Sequence, residues 1–364
     1  LVFVGIMVSA LPSVTSAEKT VVYTSLGEEL SRYELDAEKA ALVKAGSVTL
    51  PANLQFAAFH PSSRYLYAVV SNAGSGTLGA AGDTHLLSSL KLDAKTGALQ
   101  PYGPQVILPE RPIHVTVDRA GRYALVAFNK SGTVRVYQIL KDGSLGEEVA
   151  QATKPDGGIF THQVGVSPDN ASVIALARGN EAVQGRAAEI GSRSTFNFAD
   201  GKLTLVEKVA YDDGIGPRHL AFHPTQPWVY VGIERGSKLF MHTIKDGVLS
   251  KDALYKEEAL QDLGNMHRDR QKGGVVMVHP SGKFVYVTNR ADGTVKEGNE
   301  TFWAGGENNI AVFAIDEKTG KPTLIQHVDG QGIEMRTFGF DPSGKLLIAA
   351  NQKTMKVRDG GNVS

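Results

Sequence analysis

The stretch His279–Arg290, "HPSGKFVYVTNR", decides the fold because altered copies of it recur along the chain. Three of these copies read "HPSSRYLYAVVS" (60–71), "HPTQPWVYVGIE" (223–234) and "DPSGKLLIAANQ" (341–352). In each copy, turn residues of the Pro-Ser-Gly-Lys kind precede a run of tyrosine, valine, leucine and isoleucine. An apolar run bounded by turn residues is typical of a buried β-strand. The repeated segment therefore predicts one turn-and-strand unit that the chain uses many times.

The copies recur with a period near 50 residues, which indicates an array of similar supersecondary units. Their first residues, which we call anchors, are separated by between 49 residues (118 to 167) and 62 residues (279 to 341). The anchors are His60, Asp118, Ser167, His223, His279 and Asp341. Further strand patterns follow, such as "TVRVYQI" and "NIAVFAI". Four antiparallel strands per repeat, arranged radially, form the blade of a β-propeller.

The number of strand runs predicts seven blades. One run follows each of the six anchors, and a seventh occurs at residues 20–27, "TVVYTSLG". In this count the N-terminal blade begins at its second strand, and the chain stops at residues 360–364, where a third strand would begin. We therefore expect an all-β, seven-bladed propeller of four-stranded antiparallel blades, with the last blade incomplete because the sequence is truncated.

The first residues have the features of a secretory signal. Residues 1–17 form an apolar run that ends in the small residues Thr15, Ser16 and Ala17. We interpret 1–17 as the remnant of a signal peptide and 18–364 as a single propeller domain. The protein would then be exported, either periplasmic or secreted, and it would be cytoplasmic if the run is not a signal. No other run could cross a bilayer, so no membrane contact is expected after cleavage.

Composition excludes several classes of function. The chain has 38 basic and 38 acidic side chains, so its bulk charge gives no reason to expect a nucleic-acid partner. It has no cysteine, which excludes disulfides, thiolate metal sites and a cysteine nucleophile. Phosphate-binding, dinucleotide-binding and zinc-protease motifs are also missing from the sequence. We expect a monomer with no cofactor and no metal.

The positions that vary between copies mark the candidate site. The last residue of each copy is, in order, Ser71, Asn129, Arg178, Glu234, Arg290 and Gln352. The fifth residue before each anchor is Gln55, Ile113, His162, Arg218, Gly274 or Arg336. Equivalent positions in a radial array form rings about one axis. These side chains are therefore expected to line one cavity while the repeated letters build the scaffold.

Consecutive repeats would bring a charged set together: His162, Arg178, Arg218, Glu234, Arg290 and Arg336. Four guanidiniums beside one carboxylate predict an electropositive pocket for a small anionic substrate. Glu234 would stay ionised, able to act as a base or to hold a sugar hydroxyl, and His162 could exchange protons near neutrality.

Simpler interpretations stay open for individual residues. Arg178 could be a solvated loop residue, and His162 a histidine satisfied at a strand end. The anchor histidines His60, His223 and His279 precede proline in turns, and we predict that they are structural. The histidines at 114 and 219 are expected to pack in the channel wall.

Several segments together resemble the seven-bladed lactonase family, which holds bacterial 6-phosphogluconolactonase and the fungal carboxy-muconate cyclase. They are "RPIHVTVDRAGRYALVAFNKSGTVRVYQI" (111–139), "THQVGVSPD" (161–169), "GPRHLAFHP" (216–224), "VTNR" (287–290) and "FGFDPSGKLLIAANQ" (338–352). The likeness covers about residues 20–364. It implies a seven-bladed propeller that opens or closes a lactone without a metal. It also implies functional roles for His162, Arg218, Glu234 and Arg290.

The chain departs from that family at three places. Ala177-Arg178-Gly179 stands where relatives usually have Asp-Leu-Gly, and Gly274 where they often have an acidic residue. Both differences leave the substrate open. The loop at 291–308 is longer than usual, and it is either a lid bearing Trp303 or an insertion.

Three functions follow. The first is metal-independent hydrolysis of an acidic sugar lactone at the mouth of the channel. The second is a non-catalytic exported propeller that binds a ligand or a partner, and the third is a muconate-type cyclase. For the first, the candidate catalytic residues are His162, Glu234, Arg218 and Arg290. The candidate substrate-binding residues are Arg178, Arg336, Gln352 and Asn129.

Overall fold

The computed structural model describes residues 6–10, 20–74, 79–185, 187–212, 214–359 and 362–363. The chain divides into two compact units. The first unit comprises the chain up to Pro217 with Lys245–Leu249 and Gly339–Ile348. The second unit comprises Arg218–Ile244, Ser250–Phe338 and the chain from Ala349 onward. No helix in the described ranges is long and apolar enough to cross a membrane.

The strands up to Pro217 form four antiparallel sheets of four strands each. In sequence order these sheets contain β1–β4, β5–β8, β9–β12 and β13–β16. The strands are β1 (Ile6–Ala10), β2 (Thr20–Leu26), β3 (Glu29–Asp36), β4 (Ala41–Thr49), β5 (Leu54–Phe59), β6 (Tyr65–Ser71), β7 (His85–Leu92), β8 (Leu99–Ile107), β9 (Pro112–Val117), β10 (Tyr123–Phe128), β11 (Thr133–Ile139), β12 (Leu145–Glu148), β13 (Thr161–Val166), β14 (Ser172–Ala177), β15 (Ser192–Ala199) and β16 (Lys202–Ala210).

The rest of the chain continues the pattern. Its strands are β17 (Pro217–Phe222), β18 (Trp228–Ile233), β19 (Lys238–Lys245), β20 (Val248–Leu249), β21 (Tyr255–Glu258), β22 (Gln271–Val278), β23 (Phe284–Ala291), β24 (Thr294–Glu297), β25 (Glu300–Trp303), β26 (Asn309–Ile315), β27 (Pro322–Asp329), β28 (Ile333–Phe340), β29 (Leu347–Lys353), β30 (Arg358–Asp359) and β31 (Asn362–Val363), and one short 3-10 helix spans Leu263–His267. Strands β17–β21 form a fifth sheet and β22-β23-β26-β27 a sixth. Two-stranded sheets pair β24 with β25, β28 with β29, and β30 with β31.

This strand order confirms the predicted all-β architecture of repeated antiparallel sheets. Six sheets of four or five strands are followed by the two-stranded β28–β29 sheet at the place of the seventh repeat. The second strands β6, β14 and β18 are almost entirely buried, as their continuous apolar runs require. Outer strands such as β4 and β8 expose most of their side chains.

The first sheet differs from the prediction. Its first strand is β1, which pairs antiparallel with β2 from Ile6 opposite Thr24 to Ala10 opposite Thr20. The expectation that this sheet begins at its second strand is therefore wrong. An extended segment just before β2 can satisfy the N–H and C=O groups on the edge of that strand. Residues 1–5 and 11–19 lie outside the described residues, and cleavage of a signal peptide stays a prediction.

The anchor histidines connect neighbouring repeats. His60 Nε2 lies 3.0 Å from the carbonyl oxygen of Gly121, and His223 Nε2 lies 2.8 Å from that of Gly282. Both glycines occupy the same turn of the following repeat and have left-handed backbones, with φ of +71° and +73°. A Cβ atom would lie 2.3 Å from the His60 ring or 2.7 Å from the His223 ring. These contacts confirm the structural role predicted for the two histidines.

His223 is held in one neutral tautomer. Its Nδ1 accepts hydrogen bonds from the backbone N–H groups of Thr225 and Gln226, at 3.2 and 3.0 Å. Nε2 therefore carries the proton that is donated to Gly282. Burial lowers the pKa of His223, and the Gly282 carbonyl only partly offsets this effect. The buried position of His223 therefore favours the uncharged ring.

The tyrosine of the repeated segment makes a second connection. Hydroxyl groups of three buried tyrosines donate to glycine carbonyls in the outer hairpin of the next repeat. The pairs are Tyr23 with Gly97, Tyr67 with Gly143, and Tyr230 with Gly320, at 2.6 to 2.9 Å. Burial raises the pKa of each phenol above its usual value, so the hydroxyl stays a donor.

Candidate active site

Three predicted residues meet in the interior of the second unit. Arg218 lies at the start of β17, Glu234 directly follows β18, and Arg290 lies near the end of β23. Each side chain comes from a different strand and is at least nine-tenths buried. Their equivalent positions in successive repeats predicted that they lie together, and in the structure both arginines contact Glu234.

Arg290 is the centre of this group. Its Nη2 donates to Oε1 of Glu234, and its Nη1 donates to Oε1 of Glu334 at 2.5 Å. Its Nε donates to the carbonyl oxygen of Gly273 at 3.2 Å, so the guanidinium is held on three sides. Nε of Arg218 lies 3.6 Å from the same Glu234 oxygen. Glu234 is therefore placed between two guanidiniums, which favours its ionised form.

Glu334, on β28, is a site residue that the sequence analysis missed. The predicted pocket had one carboxylate, and the structure has two. Glu334 also accepts a hydrogen bond from Nη1 of Arg336 at 3.2 Å, and its backbone N–H donates to Oδ1 of Asn308 at 2.9 Å. The sequence signal was weak, because Glu334 stands two residues before Arg336 but its left-handed backbone departs from the regular alternation of a strand. We call Arg218, Glu234, Arg290, Glu334 and Arg336 the Arg290 cluster.

A second ion group lies beside this cluster. The buried carboxylate of Asp292 accepts two hydrogen bonds from the Arg270 guanidinium, at 2.8 and 2.9 Å. Nζ of Lys353 lies 3.5 Å from Oδ2 of Asp292. Arg270 and Lys353 are both nearly half exposed, in contrast to Arg290. The two groups together hold five cationic side chains and three carboxylates, an excess of two positive charges.

The charges shift the pKa values of several members. Burial raises the pKa of Glu334, but the charges of Arg290 and Arg336 outweigh this effect, and the pKa lies below its usual range. Burial lowers the pKa of Arg290, yet Glu334 and Glu234 together raise it above its usual value. The pKa of Arg336 is lowered by burial and by the neighbouring charge of Arg290. At Arg336, burial and the charge of Arg290 therefore outweigh the attraction of Glu334 and Glu234.

His219 supports the position of Arg218. The two side chains are buried, and Nη1 of Arg218 lies 3.2 Å from Nε2 of His219. The ring nitrogen accepts this bond, since a guanidinium can only donate. In the first unit, the ring centres of His114 and Phe56 lie 4.0 Å apart, as expected for a histidine that packs in the channel wall.

The other predicted site residues are distributed over both units. His162 lies on β13 and is buried, and Asn129 follows β10 and is buried. The Arg178 guanidinium lies 3.7 Å above the ring of Phe160. These three residues belong to the first unit, and Gln352 lies on β29 in the second. Their roles in substrate binding or catalysis stay predictions.

The loop at 291–308 forms the hairpin β24–β25, which is fastened at both ends. Nε1 of Trp303 donates to the carbonyl oxygen of Ala291 at 3.1 Å. The backbone N–H of Trp303 donates to the carbonyl oxygen of Lys356 at 2.9 Å. At the end of the loop, Oδ1 of Asn308 accepts from the backbone N–H groups of Ala291 and Glu334. The loop therefore supports the backbone of Glu334.

The arrangement offers an ionised carboxylate, several guanidinium donors and an excess of positive charge. These groups can take up a proton, bind an anion and stabilise a developing oxyanion. Within the described ranges, no three acidic or histidine side chains are grouped so that they could hold a metal ion.

Comparison with known proteins identifies relatives over most of the chain. The family model described as lactonase, 7-bladed beta-propeller, matches residues 15–358. A 6-phosphogluconolactonase of Bacillus subtilis (strain 168) is 28% identical over 340 residues, which are 91% of this chain and 87% of the relative. A 6-phosphogluconolactonase of Klebsiella pneumoniae (strain 342) is 27% identical over 345 residues, 92% of this chain and 89% of the relative.

A solved structure shares the fold. The periplasmic gluconolactonase of Pseudomonas aeruginosa superimposes with a TM-score of 0.72 at 23% identity, over 93% of this chain and 90% of that protein.

Proposed function

The chain belongs to the seven-bladed β-propeller lactonase family, and from this membership we propose that it hydrolyses the ring ester of a small acidic sugar lactone. The observation that carries the proposal is the buried placement of Glu234 between Arg218 and Arg290. The curated relatives named 6-phosphogluconolactonase match the chain over most of their length and support a sugar lactone as the substrate.

In the proposed reaction, water attacks the carbonyl carbon of the lactone. Glu234 takes the proton of that water as the new C–O bond forms. The tetrahedral intermediate carries a negative oxygen, which the guanidinium of Arg218 stabilises. The ring C–O bond then breaks, and Glu234 returns its proton to the departing alkoxide. The product is the open hydroxy acid, and no metal takes part in these steps.

The acidic group of the substrate is assigned to the more exposed cations. Arg290 already donates to two carboxylates and a carbonyl, so it is poorly placed to bind a further anion. The Arg336 side chain is a quarter exposed and its charge is incompletely compensated. A phosphate beside Arg336, with Arg270 and Lys353 nearby, would balance the excess of two positive charges, and a carboxylate would balance one of them.

The test compares the wild-type protein with Glu234→Gln on gluconolactone and 6-phosphogluconolactone, with base consumption as the readout. We expect the wild type to exceed the uncatalysed rate and kcat of the variant to fall by about 10²- to 10⁴-fold, the usual contribution of a general base. The matched control is Glu258→Gln, which removes a part-exposed carboxylate paired with Lys238 in the same unit. Folded wild-type protein without turnover, or equal rates for both variants, would contradict the proposal.

The same assay separates the other two functions. A cyclase would change the absorbance of a muconate without consuming a lactone. A binding protein would retain sugar acids in equilibrium dialysis and turn over neither substrate. Export remains part of the proposal, because of the apolar run at residues 1–17.

A further inference from the structure

We infer that Glu334 is a positioning residue of this site, which keeps Glu234 basic by sharing Arg290 with it. The inference rests on the proposed function, in which Glu234 accepts the proton of the attacking water. It concerns a residue outside both rings of variable positions.

The geometry of Arg290 is the first observation. Its two terminal nitrogens point to different carboxylates, Nη2 to Glu234 and Nη1 to Glu334. One guanidinium therefore holds two carboxylates near each other, and the negative charge of Glu334 opposes the ionisation of Glu234. A single buried Glu234–Arg290 pair would lack this opposing charge, while Arg218 would still act on Glu234.

The backbone of Glu334 is the second observation. Its φ of +62° lies in the left-handed region, which is unfavourable for a residue with a side chain. Asn170, Asp200 and Asp246 share this conformation, but they lie in turns, whereas Glu334 lies within the strand β28. Asn308 stabilises the conformation by accepting the Glu334 N–H. Strain retained inside a strand next to a polar site indicates a role in that site.

The second carboxylate oxygen of Glu334 is the third observation. Oε2 is buried and accepts no hydrogen bond from the described residues. Oε1 accepts from both Arg290 and Arg336. Glu334 therefore acts on the cluster through one oxygen and the negative charge that this oxygen shares.

The charged groups around the two acids determine the direction of the effect. Arg290 from β23, Arg336 from β28, and the nearby Asp292 and Arg270 act on Glu334. Arg218 from β17, Arg290 from β23 and Arg336 from β28 act on Glu234. Removing the charge of Glu334 removes a like charge from this group and leaves Arg290 to Glu234 alone. Both changes make Glu234 a weaker base.

The test measures kcat/KM against pH for the wild type and Glu334→Gln. The acid limb of the profile is expected to shift to lower pH by about one unit, which is the lower end of the pKa shifts that neighbouring charges cause. Titration of the Glu234 carboxyl carbon by NMR should show the same shift, and this readout needs no activity.

The matched control is Glu307→Gln in the same unit. Glu307 accepts the backbone N–H groups of Gln261 and Asp262, so its loss should lower stability without moving the acid limb. The inference would be overturned if Glu334→Gln left both the acid limb of the kcat/KM profile and the NMR titration of Glu234 unchanged.

Two further outcomes are distinguishable. If Glu334→Gln does not fold, Glu334→Asp carries the test, because the shorter side chain withdraws the charge from Arg290. It should shift the titration in the same direction by less, and no shift would overturn the inference. If the wild type hydrolyses no lactone, the proposed function fails, and the NMR titration still decides whether Glu334 sets the basicity of Glu234.

Discussion

Replacing Arg290 by methionine tests the physical basis of the site. Arg290→Met keeps much of the side-chain volume but leaves two buried carboxylates without their shared partner. Removing one partner of a buried ion pair costs about 3–5 kcal/mol. Glu234 keeps Arg218 at 3.6 Å and Glu334 keeps Arg336 at 3.2 Å, so we expect the lower end, ~3 kcal/mol.

Thermal unfolding at pH 7 measures this loss. The unfolding entropy of about 2.1 cal/mol/K per residue gives roughly 0.8 kcal/mol/K for the 364 residues. A loss of ~3 kcal/mol therefore corresponds to a fall in Tm of about 4 °C. The control is Arg135→Met, which removes a largely exposed pair with Glu148 and should cost less than ~1 kcal/mol.

The pH dependence gives the prediction a second readout. In the wild type the pKa of Glu334 lies below its usual range, so its stabilising effect is lost as the pH falls through that pKa. In Arg290→Met, the carboxyls of Glu234 and Glu334 are buried without the Arg290 guanidinium, which raises their pKa values. Their protonation at lower pH removes the cost of burying an unpaired charge. The difference in Tm between the two proteins should therefore shrink from pH 7 to pH 4. A variant within 1 °C of the wild type at pH 7 (about 1 kcal/mol), or a difference independent of pH, would refute the reasoning.

The connection between His223 and Gly282 gives the remaining predictions. Gly282→Ala combines a φ of +73° with a Cβ only 2.7 Å from the His223 ring, so it should cost clearly more than Gly298→Ala, where φ is +60° and no atom lies within 4 Å. Equal losses of Tm would show that the connection does not matter. Burial lowers the pKa of His223, so the wild type should lose stability as the pH falls below about 6.5, where the unfolded chain takes up the proton first. His223→Gln should flatten the curve of Tm between pH 7 and 5, and an unchanged slope would contradict this.

The fold could be predicted because the same sequence pattern recurs in each repeat. The same letters at His60 and His223 specify the same bond to a turn glycine one repeat later, so the period itself carries the architecture. The first strand was not predictable in this way. The pairing of β1 with β2 depends on a neighbouring edge and not on any repeated letter.

The site could be predicted only where it follows the repeat. Arg218, Glu234 and Arg290 occupy equivalent positions of successive copies, and the structure brings them into contact. Glu334 does not occupy one of these equivalent positions. Its left-handed backbone also breaks the alternation of side chains between the two faces of a strand. Such a conformation depends on a distant partner, Asn308, which the spacing of residues does not reveal.

The central guanidinium also affects the order of folding. Arg290 joins acids that lie 56 residues before it and 44 residues after it in the sequence. Closing loops of this length costs entropy before the contacts are made, and each sheet can form from local hairpins without them. We therefore expect the cluster to form late in assembly, after the transition state, so that its bonds chiefly slow the opening of the finished protein. The proposed chemistry and the kinetic persistence would then depend on the same side chain.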